Sequence, residues 1–302
     1  MDKVIKITEN VDVRLDKYLI PLLPEYTRSQ IQIMITNREI LVNNEETKPS
    51  YKLRENDEVL IRYIDPKILD VVSEEIPLDI YYEDSDLIVV NKPSGMVVHP
   101  AFGNYRGTLV NALMHHCTDL SSINGVIRAG IVHRLDKDTS GLIVACKNDF
   151  THKALSKQFK ERTVVRHYIA IVHGVIEHNL GKIDAPIGRS PNNRKLMAVT
   201  EDGKPAITNF KVLERLANHT ILELKLETGR THQIRVHMQY IGHPVAGDPL
   251  YGLKKDKSEY GQYLHAKTLG FVHPRTEEYL EFNSPLPDYY IEYLESLRKE
   301  SI

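Results

Sequence analysis

One stretch of ten residues combines a conformational constraint with a reactive side chain: His133 to Leu142, with the sequence HRLDKDTSGL. It follows the apolar pair Ile131-Val132 and leads into the strand-like run from Gly141 to Cys146. The polar residues between these apolar segments therefore predict a tight turn, and Asp136 lies in it between basic side chains. Because Asp, Ser and Thr also cap turns and helices, these ten residues alone allow either a capping or a functional role for Asp136.

The tetrapeptide Arg-Leu-Asp-Lys occurs twice in the chain, at residues 14–17 and at residues 134–137. The first copy continues into Tyr18-Leu19-Ile20, which is typical of an aspartate that opens an amphipathic helix. The second copy has His133 before it and Thr139-Ser140-Gly141 after it. The tetrapeptide alone therefore does not define a site, and only the second copy has the surroundings of one.

Length and composition favour a globular protein with one large and one small domain. The chain has 302 residues, of which 41% are hydrophobic, and this is enough for real cores. Its two cysteines, Cys117 and Cys146, cannot build a disulfide framework. The first residues lack the basic-then-apolar layout of a signal peptide, and no apolar run reaches the ~18 residues of a membrane span. We therefore expect a cytoplasmic protein.

Charge is distributed unevenly along the chain. The formal net charge of −2 argues against a simple polyanion binder. Residues 128–240, however, carry 19 Lys and Arg against 11 Asp and Glu, whereas the remainder carries 20 against 30. Blocks of charge are common on solvated surfaces, but basic charge around Asp136 is also what contact with phosphate groups requires.

Residues 11–63 predict a compact module of two helices and a small sheet. Helix patterns cover Leu15–Leu23 and the residues after Thr27, where Thr27 or Ser29 can cap the second helix, and short strands follow at 40–42 and 58–61. The runs RLDKYL, TRSQIQIMI and ILVNNEETKPSYKLRENDEVLI resemble the S4 RNA-binding module over nearly its full length.

The S4 resemblance implies contact with RNA. Four basic residues of the module are spaced so that several can share one face and are candidates for that contact: Arg28, Arg38, Lys48 and Lys52. The chain departs from the family at Asn37-Arg38-Glu39, where a glycine turn is frequent, and the module is slightly acidic. Its RNA affinity is therefore expected to be modest.

The domain organisation follows from a segment of mixed polarity that contains Pro66 and Pro77. It predicts a linker at residues 66–77 between an S4-like domain at 1–65 and a second domain at 78–302. The second domain begins with Leu87–Val90, a Pro/Gly turn and Met96–Pro100, a pattern that predicts a β-hairpin. A helix is predicted from Asn148 to Glu161.

Two alternating segments predict further strands, Val164–Gly174 and Leu222–Leu226. The first has Tyr168 on the same face as Ala170 and Val172, and a buried tyrosine in a strand is more often part of a core than a catalyst. Between the two segments, a polar excursion with glycine and proline predicts a mobile basic loop or hairpin at residues 188–205. Its basic residues are Arg189, Arg194, Lys195 and Lys204.

The run ETGRTHQIRVHM at residues 227–238 places Arg230 and Arg235 among apolar residues directly after a strand. Arginines in such surroundings generally have a fixed partner, although a satisfied surface arginine at a helix start remains an alternative. His232 and His237 are five residues apart, so they do not align on one helical face. Since the chain also lacks His-Glu-x-x-His and paired Cys-x-x-Cys motifs, no metal site is predicted.

Four segments in this order resemble the RluA/RluD family of RNA pseudouridine synthases: DLIVVNKPSGMVVHP, HRLDKDTSGL, RHYIAIVHG and ETGRTHQIRVHM. The resemblance runs from about residue 78 to the end, and it implies an α+β fold with a mostly antiparallel central sheet and flanking helices. The implied activity is the isomerisation of uridine to pseudouridine in RNA, usually large-subunit ribosomal RNA, without a cofactor or metal. We expect a monomer with no obligate protein partner.

The resemblance also implies roles for single residues. Asp136 matches the essential aspartate, which acts either as a nucleophile or as the base that removes a sugar proton to give a glycal. Tyr168 matches a tyrosine that stacks on the flipped base and assists proton removal at C5, and Arg235 matches the arginine partner of the aspartate. Arg134 matches a residue that contacts the flipped nucleotide or fills the space of its base, and Arg166 stands where lysine is more frequent.

Elementary electrostatics agrees with this assignment. Burial raises the pKa of a carboxyl group, so a carboxylate that works at neutral pH needs a cation beside it. A charge pair at about 4 Å gains roughly 4 kcal/mol at an effective dielectric constant near 20, before desolvation is subtracted. Arg235 is therefore expected to hold Asp136 ionised and oriented.

The detached uracil has to be sheltered from water until it is rejoined to the sugar. This requirement predicts a closed apolar pocket around Asp136, with Leu135 and Ile234 in its walls. Arg230 and the basic residues of the 188–205 segment are expected to contact the RNA around it.

Two other classes of function fit parts of the sequence. A non-catalytic RNA-binding protein explains the S4 module but leaves Asp136, Tyr168 and Arg235 without a shared purpose. A metal-dependent RNA hydrolase lacks a ligand motif in this chain.

Overall fold

Separate sets of apolar residues build separate cores in the computed structural model, and they divide the chain into two units, Met1–Val71 and Val72–Ile302. The structure describes residues 2–36, 38–62, 72–100, 104, 106–121, 123, 129–193, 196–256 and 258–301, without the side chains of residues 29, 33 and 36.

The N-terminal unit packs two helices with a three-stranded antiparallel sheet whose strand order is 1-3-2. Its elements are β1 (Lys3–Lys6), α1 (Leu15–Tyr18), α2 (Arg28–Thr36), β2 (Ile40–Val42) and β3 (Glu58–Ile61). The helix predicted for residues 15–23 is shorter than expected. Because Pro21 lacks a main-chain N–H, it begins a separate 3-10 turn at Ile20–Leu22 instead of continuing α1.

The first Arg-Leu-Asp-Lys copy ties the two helices of this unit together. Asp16 is fully buried in the first turn of α1 and accepts hydrogen bonds from Arg14 (Nε–Oδ1 2.9 Å), from Arg28 of α2 (Nη2–Oδ2 2.9 Å) and from Gln32. Burial acts to raise the pKa of Asp16, but these hydrogen bonds outweigh it and lower the pKa. The Asp16 carboxylate therefore has a structural role, because it links α1 to α2.

The C-terminal unit is built on a sheet that has nine strands among the described residues. They are β4 (Asp79–Glu83), β5 (Leu87–Lys92), β6 (Ser140–Cys146), β7 (Val165–His173), β8 (Leu180–Asp184), β11 (Ile207–Arg215), β12 (His219–Leu226), β13 (Leu264–Val272) and β14 (Tyr279–Asn283). The order is β4-β5-β6-β13-β7-β12-β11-β8, with β14 beside β13, and all these pairs are antiparallel except β6 with β13. The predicted α+β class with a mostly antiparallel sheet is confirmed.

In the described part of the unit, four helices and a small hairpin accompany the sheet. They are α3 (Leu109–His116), α4 (Asp149–Glu161), the hairpin strands β9 (Ile187–Arg189) and β10 (Met197–Val199), α5 (Gln233–Tyr240) and α6 (Asp288–Glu300). The predicted helix at 148–161 is confirmed as α4, because the Asn148 side chain accepts a hydrogen bond from the Thr151 N–H and caps its start. The hairpin formed by β9 and β10 is one of the two alternatives expected for residues 188–205.

The β-hairpin predicted for residues 87–100 is wrong. Strand β5 pairs with β4 and β6 instead, and the residues after the Pro/Gly turn form no strand. The carbonyl groups of Val97 and Val98 accept hydrogen bonds from Leu109 and Val110, the first residues of α3. This segment therefore satisfies the free N–H groups at a helix start rather than the edge of a strand.

Part of the segment interpreted as a linker belongs to the C-terminal unit. Residues 72–77 lie against α3: the Asn111 side chain donates to the Val72 carbonyl (2.7 Å), and the Glu74 N–H donates to the Asn111 carbonyl (3.0 Å). Residues 66–71 lie outside the described residues.

Among the helices that the structure describes, none is both long and apolar enough to cross a membrane.

Candidate active site

Asp136 lies in the loop immediately before β6, in the middle of the large sheet. Gly141, the second residue of β6, has a φ of +117°, and a Cβ on it would overlap the main-chain oxygen of Ala266 in β13. Glycine is therefore required where β6 meets β13, and this close approach places the Asp136 loop beside the central strands.

The loop is held by hydrogen bonds from both sides. The Thr139 N–H donates to the Asp136 carbonyl (3.1 Å), and Gln262 donates to the Thr139 hydroxyl (2.9 Å). The buried Lys92 at the end of β5 donates to the Lys137 carbonyl (3.0 Å), and also to the carbonyls of residues 93 and 96, each at 2.8 Å. A lysine nitrogen held by three main-chain acceptors is a rigid support, so the Asp136 main chain is preorganised.

A single arginine joins two carboxylates at this site. Arg235, in the first turn of α5, donates from Nη1 to Asp136 Oδ2 (3.0 Å) and from Nε and Nη2 to the two oxygens of Asp248 (2.6 and 2.8 Å). The side chains of Arg235 and Asp248 are 4% and 0% exposed, against 16% for Asp136. Burial acts to lower the pKa of Arg235, but Asp248 and Asp136 outweigh it and raise the pKa. Asp248 therefore fixes the guanidinium, which presents its remaining edge to Asp136.

The turn before α5 is built around Gln233. Its side-chain oxygen accepts hydrogen bonds from the Thr228 hydroxyl (2.7 Å) and the Arg230 N–H (3.0 Å), and its amide donates to the Ile207 carbonyl in β11 (3.0 Å). His232 has a φ of +56°, a left-handed conformation that reverses the chain into the helix. These contacts explain why polar residues precede Arg235 and how α5 is placed against the sheet.

His232 and Tyr251 lie beside the ion pair. His232 Nε2 is 3.9 Å from Asp136 Oδ1, and its Nδ1 shares a hydrogen bond with the Tyr251 hydroxyl (2.8 Å), which also accepts from the Met197 N–H in β10 (2.9 Å). Burial lowers the pKa of His232, although the charge of Asp136 opposes this effect. The Arg235 guanidinium lies 5.1 Å from the centre of the Tyr251 ring. The hairpin formed by β9 and β10 is thereby connected to the site.

Tyr168 in β7 is buried and lines the same cavity as Asp136. Burial raises the pKa of its hydroxyl and the charge of Asp136 acts in the same direction, while the charge of Arg166 opposes them. The hydroxyl therefore stays protonated at neutral pH, and the predicted strand and burial of Tyr168 are both present in the structure.

The cavity has a volume of about 490 Å³. Leu135 and Ile234, the residues expected in its walls, are buried and line it. The lining is not purely apolar, however, because basic side chains also contribute to it: Arg134, Lys160, Arg166 and Arg230. A volume of this order is suited to a small molecule or a single base.

The basic residues expected to contact RNA in the C-terminal unit occupy different places. Arg134 is exposed at the cavity, and Arg230 lines it while its Nε donates to the Pro205 carbonyl (3.0 Å). Arg189 is exposed on β9. Arg194 and Lys195 lie outside the described residues.

The four candidates in the N-terminal unit are all exposed. Three of them form ion pairs: Arg28 with Asp16, Arg38 with Glu46 (2.9 Å) and Lys52 with Asp12. Arg38 has a φ of +66°, the left-handed conformation for which the S4 family often uses glycine. Arg38 therefore has the backbone conformation that glycine favours, although its residue type differs from that of the family.

Sequence reasoning missed Asp248, Lys92 and the role of His232. Asp248 lies in AGDPLYG, whose Gly, Asp and Pro indicate a turn but no ion pair. Lys92 belongs to NKPSG, where a lysine in a Pro/Gly turn is usually exposed. All three residues lie close to Asp136 or Arg235 in the folded protein. Their positions along the chain do not reveal this proximity.

Two groups of described residues place possible metal ligands within 4.8 Å of one another: Glu83, His116 and Cys117, and Asp84, Asp86 and His273. The first group is paired internally and with Lys147, and the second with Arg275. Neither group contains a residue that lines the cavity.

Comparisons with known proteins agree with this geometry. Residues 86–240 match the RNA pseudouridylate synthase family, and residues 13–59 match the S4 domain. An uncharacterized RNA pseudouridine synthase of Bacillus subtilis is 55% identical over 291 residues, which cover 96% of either chain. Ribosomal large subunit pseudouridine synthase D of Neisseria meningitidis serogroup A is 46% identical over 302 residues, which cover 95% of this chain and 79% of the relative.

Among solved structures, human RNA pseudouridylate synthase domain containing 1 superimposes with a TM-score of 0.59 at 28% identity, covering 75% of this chain and 96% of that one. The fold and the cavity therefore define an RNA-modifying isomerase with an additional RNA-binding domain. The chain belongs to the RluA family of RNA pseudouridine synthases that carry an N-terminal S4 domain.

Proposed function

We propose that this enzyme converts uridines of large-subunit ribosomal RNA to pseudouridine with Asp136 as the essential carboxylate. The observation that carries the proposal is the contact from Arg235 Nη1 to Asp136 Oδ2 (3.0 Å), made by a guanidinium that Asp248 already holds from two sides. A carboxylate so held has a fixed orientation, and it lines the cavity.

In the proposed reaction the target uridine leaves its RNA stack and its base enters the cavity. The bond between ribose C1′ and uracil N1 breaks, the uracil rotates, and C5 bonds to C1′ and loses its proton. Asp136 either bonds to C1′ and is displaced when C5 attacks, or removes the proton at C2′ to give a glycal and returns it when C5 bonds to C1′. Substrate deuterated at C2′ distinguishes the two routes, because only the second predicts a primary isotope effect on the single-turnover rate.

We propose that Tyr168 and Arg134 assist the reaction. The Tyr168 ring stacks on the inserted base, and its hydroxyl, which is protonated at neutral pH, assists the transfer of the C5 proton. Arg134 is exposed at the cavity, which suits contact with the backbone of the flipped nucleotide. Replacing Tyr168 with phenylalanine should leave RNA binding within about threefold and slow turnover. A full rate in this variant would leave Tyr168 with stacking alone.

The choice of ribosomal RNA rests on relatives named ribosomal large subunit pseudouridine synthase D, such as the Neisseria protein, and on the S4 domain. The basic candidates Arg28, Arg38, Lys48 and Lys52 are proposed to contact RNA there, and Arg189, Arg194, Lys195 and Arg230 around the catalytic unit. We propose that an S4-like domain at residues 1–65 and a catalytic domain that includes residues 72–77 act as separate domains, and that the enzyme works as a monomer.

The test maps pseudouridines in the RNA of cells with and without this protein. We expect one or a few large-subunit sites to lose pseudouridine and to regain it with the wild-type gene. Asp136→Asn should fail to restore them. Asp138→Asn, a change of the same kind two residues away whose side chain does not line the cavity, should succeed. Normal modification with Asp136→Asn would refute the assignment of the carboxylate, and unchanged large-subunit sites would refute the substrate.

A further inference from the structure

Arg166 is a buried cation at the cavity that the proposed chemistry does not use. It is 8% exposed, and its Nε is buried without a hydrogen-bond partner. Within the described part of the chain, no carboxylate forms an ion pair with it. An isolated buried charge is costly for a folded protein, so its retention calls for a ligand.

Arg166 contributes its side chain to the lining of the cavity. It precedes Tyr168 by two residues in β7, so both side chains emerge on the same face of the strand, and both line the cavity. Its guanidinium carbon lies 5.5 Å from the centre of the Phe159 ring, which stacks on His133. Burial, with the charge of Arg166, lowers the pKa of His133 to about 3, so this neighbour is neutral. Of the residues that the structure describes, those beside the guanidinium thus offer aromatic rings, and none forms an ion pair with it.

Arg166 is less exposed than Arg134 and Lys160, which also line the cavity. Those two side chains are exposed, which suits contact with the phosphates of an RNA strand, whereas Arg166 is buried and, unlike the buried Arg235, has no carboxylate partner among the described residues. The part of a flipped nucleotide that reaches deepest into such a site is the base. The negative partner of Arg166 should therefore be the uracil.

We propose that Arg166 binds a carbonyl oxygen of the target uracil and stabilises the negative charge that the base acquires when it is detached. This inference rests on the proposed function and deepens it. When the C1′–N1 bond breaks, its electron pair leaves with the uracil and spreads over N1, O2 and O4, whether Asp136 bonds to C1′ or takes the C2′ proton. When C5 bonds to C1′, the charge on the base is consumed, and the C5 proton then leaves while N1 takes up a proton, which gives the neutral product.

The shape of uracil allows one fixed donor to serve the whole reaction. Rotation about the axis through N3 and C6 exchanges N1 with C5 and, at the same time, O2 with O4. A guanidinium that donates to O2 of the bound uridine therefore meets O4 after the rotation. Arg166 keeps a partner before, during and after the rotation without moving.

Gly229 leaves room for this guanidinium. A Cβ at Gly229 would lie 3.0 Å from Arg166 Nη1, which is a tight contact with the end of a flexible side chain. Gly229→Ala should therefore displace the guanidinium by a few tenths of an ångström without disturbing its charge.

The experiment compares Arg166→Met with Arg166→Lys. Single-turnover rates are measured at saturating enzyme on a synthetic RNA that spans the mapped uridine, and RNA binding is measured separately. We expect Arg166→Met to be slower by about 10²–10³-fold, as for loss of an anion-stabilising donor, with RNA affinity within about threefold. Arg166→Lys should stay within about tenfold of the wild type, and Gly229→Ala should lose only a few-fold in rate. Weakened RNA binding with a normal saturated rate in Arg166→Met would assign Arg166 to a phosphate and overturn the proposal.

A second substrate separates charge stabilisation from packing. Fluorine at C5 makes uracil a better leaving group, so the loss caused by Arg166→Met should shrink by about tenfold when consumption of 5-fluorouridine is followed. If Arg166→Met lost the same factor in rate on both RNAs, Arg166 would have a structural role and the proposal would be overturned. The same conclusion would follow if the Met and Lys variants were equally slow and both had a lowered melting temperature. Activity of Asp136→Asn on the uridine RNA would refute the proposed function itself, whatever the Arg166 variants do.

Discussion

Replacing Asp248 with asparagine removes one of the two charges that hold Arg235 and leaves the shape of the side chain almost unchanged. In the wild type, the two Asp248 oxygens accept from Nε and Nη2 of Arg235 at 2.6 and 2.8 Å, and the pair is buried. The Asn oxygen can still accept from the main-chain N–H groups of residues 250 and 251, as Oδ1 does now. Its amide nitrogen, however, would place N–H groups against an N–H group of Arg235.

The magnitude follows from these contacts. Hydrogen bonds to charged groups contribute about 1.5–3 kcal/mol each. Removing one partner of a buried ion pair costs about 3–5 kcal/mol, because the other charge stays buried. Since Arg235 retains Asp136, we expect the lower end of that range, a loss of about 3 kcal/mol from the unfolding free energy of the catalytic unit. The single-turnover rate should fall by about 10–100-fold, because Arg235 no longer holds Asp136 in one orientation.

Urea unfolding followed by circular dichroism, together with single-turnover conversion at saturating enzyme, measures both effects. Asp256→Asn is the matched control. Asp256 binds His173 (2.6 Å) and the Gly247 N–H (2.7 Å) in the same segment of chain without touching Arg235. It should keep a rate close to that of the wild type. Wild-type stability and rate in Asp248→Asn would show that Arg235 does not depend on Asp248 and would refute this account of the site.

Three further outcomes are expected. Gly141→Ala should lose about 3–5 kcal/mol of stability, because the residue has a positive φ and its Cβ would overlap the Ala266 oxygen, and a wild-type melting curve would contradict this. Lys92→Met should lower the melting temperature and the turnover rate together, because three carbonyl groups lose their donor, and a normal rate would mean that the Asp136 loop does not need this support. Burial, with the charge of Lys267, lowers the pKa of His265 to about 4 from 6.5, so the unfolded chain binds a proton in this window that the folded chain does not. The unfolding free energy should therefore fall by up to about 3 kcal/mol as the pH decreases from 6.5 to 4, and a His265→Gln variant that keeps the same slope would contradict the assignment.

Local patterns in the chain predicted much of the scaffold correctly. The alternation at residues 164–174 and the capped helix at 148–161 appear as β7 and α4, because both patterns depend on neighbours a few residues away. The prediction of a hairpin at residues 87–100 was wrong for a related reason. A strand, a Pro/Gly turn and a second apolar run look alike whether the second run pairs with the first or with the start of a helix.

For the candidate site, too, the sequence predicted some features and could not predict others. Residue identities, ordered motifs and their resemblance to a known family were sufficient for the class of enzyme, and the three candidates that they suggested, Asp136, Tyr168 and Arg235, line one cavity. The pairing of Asp136 with Arg235 was expected only from the family resemblance, because an ion pair between residues 99 positions apart forms only after the sheet and α5 have packed. Asp248, Lys92 and the unpaired charge of Arg166 depend on burial and distance, which are properties of the folded chain. Composition and periodicity report which residues are apolar and which lie near each other along the chain, whereas the tertiary structure decides which charges meet, which are buried and which still lack a partner.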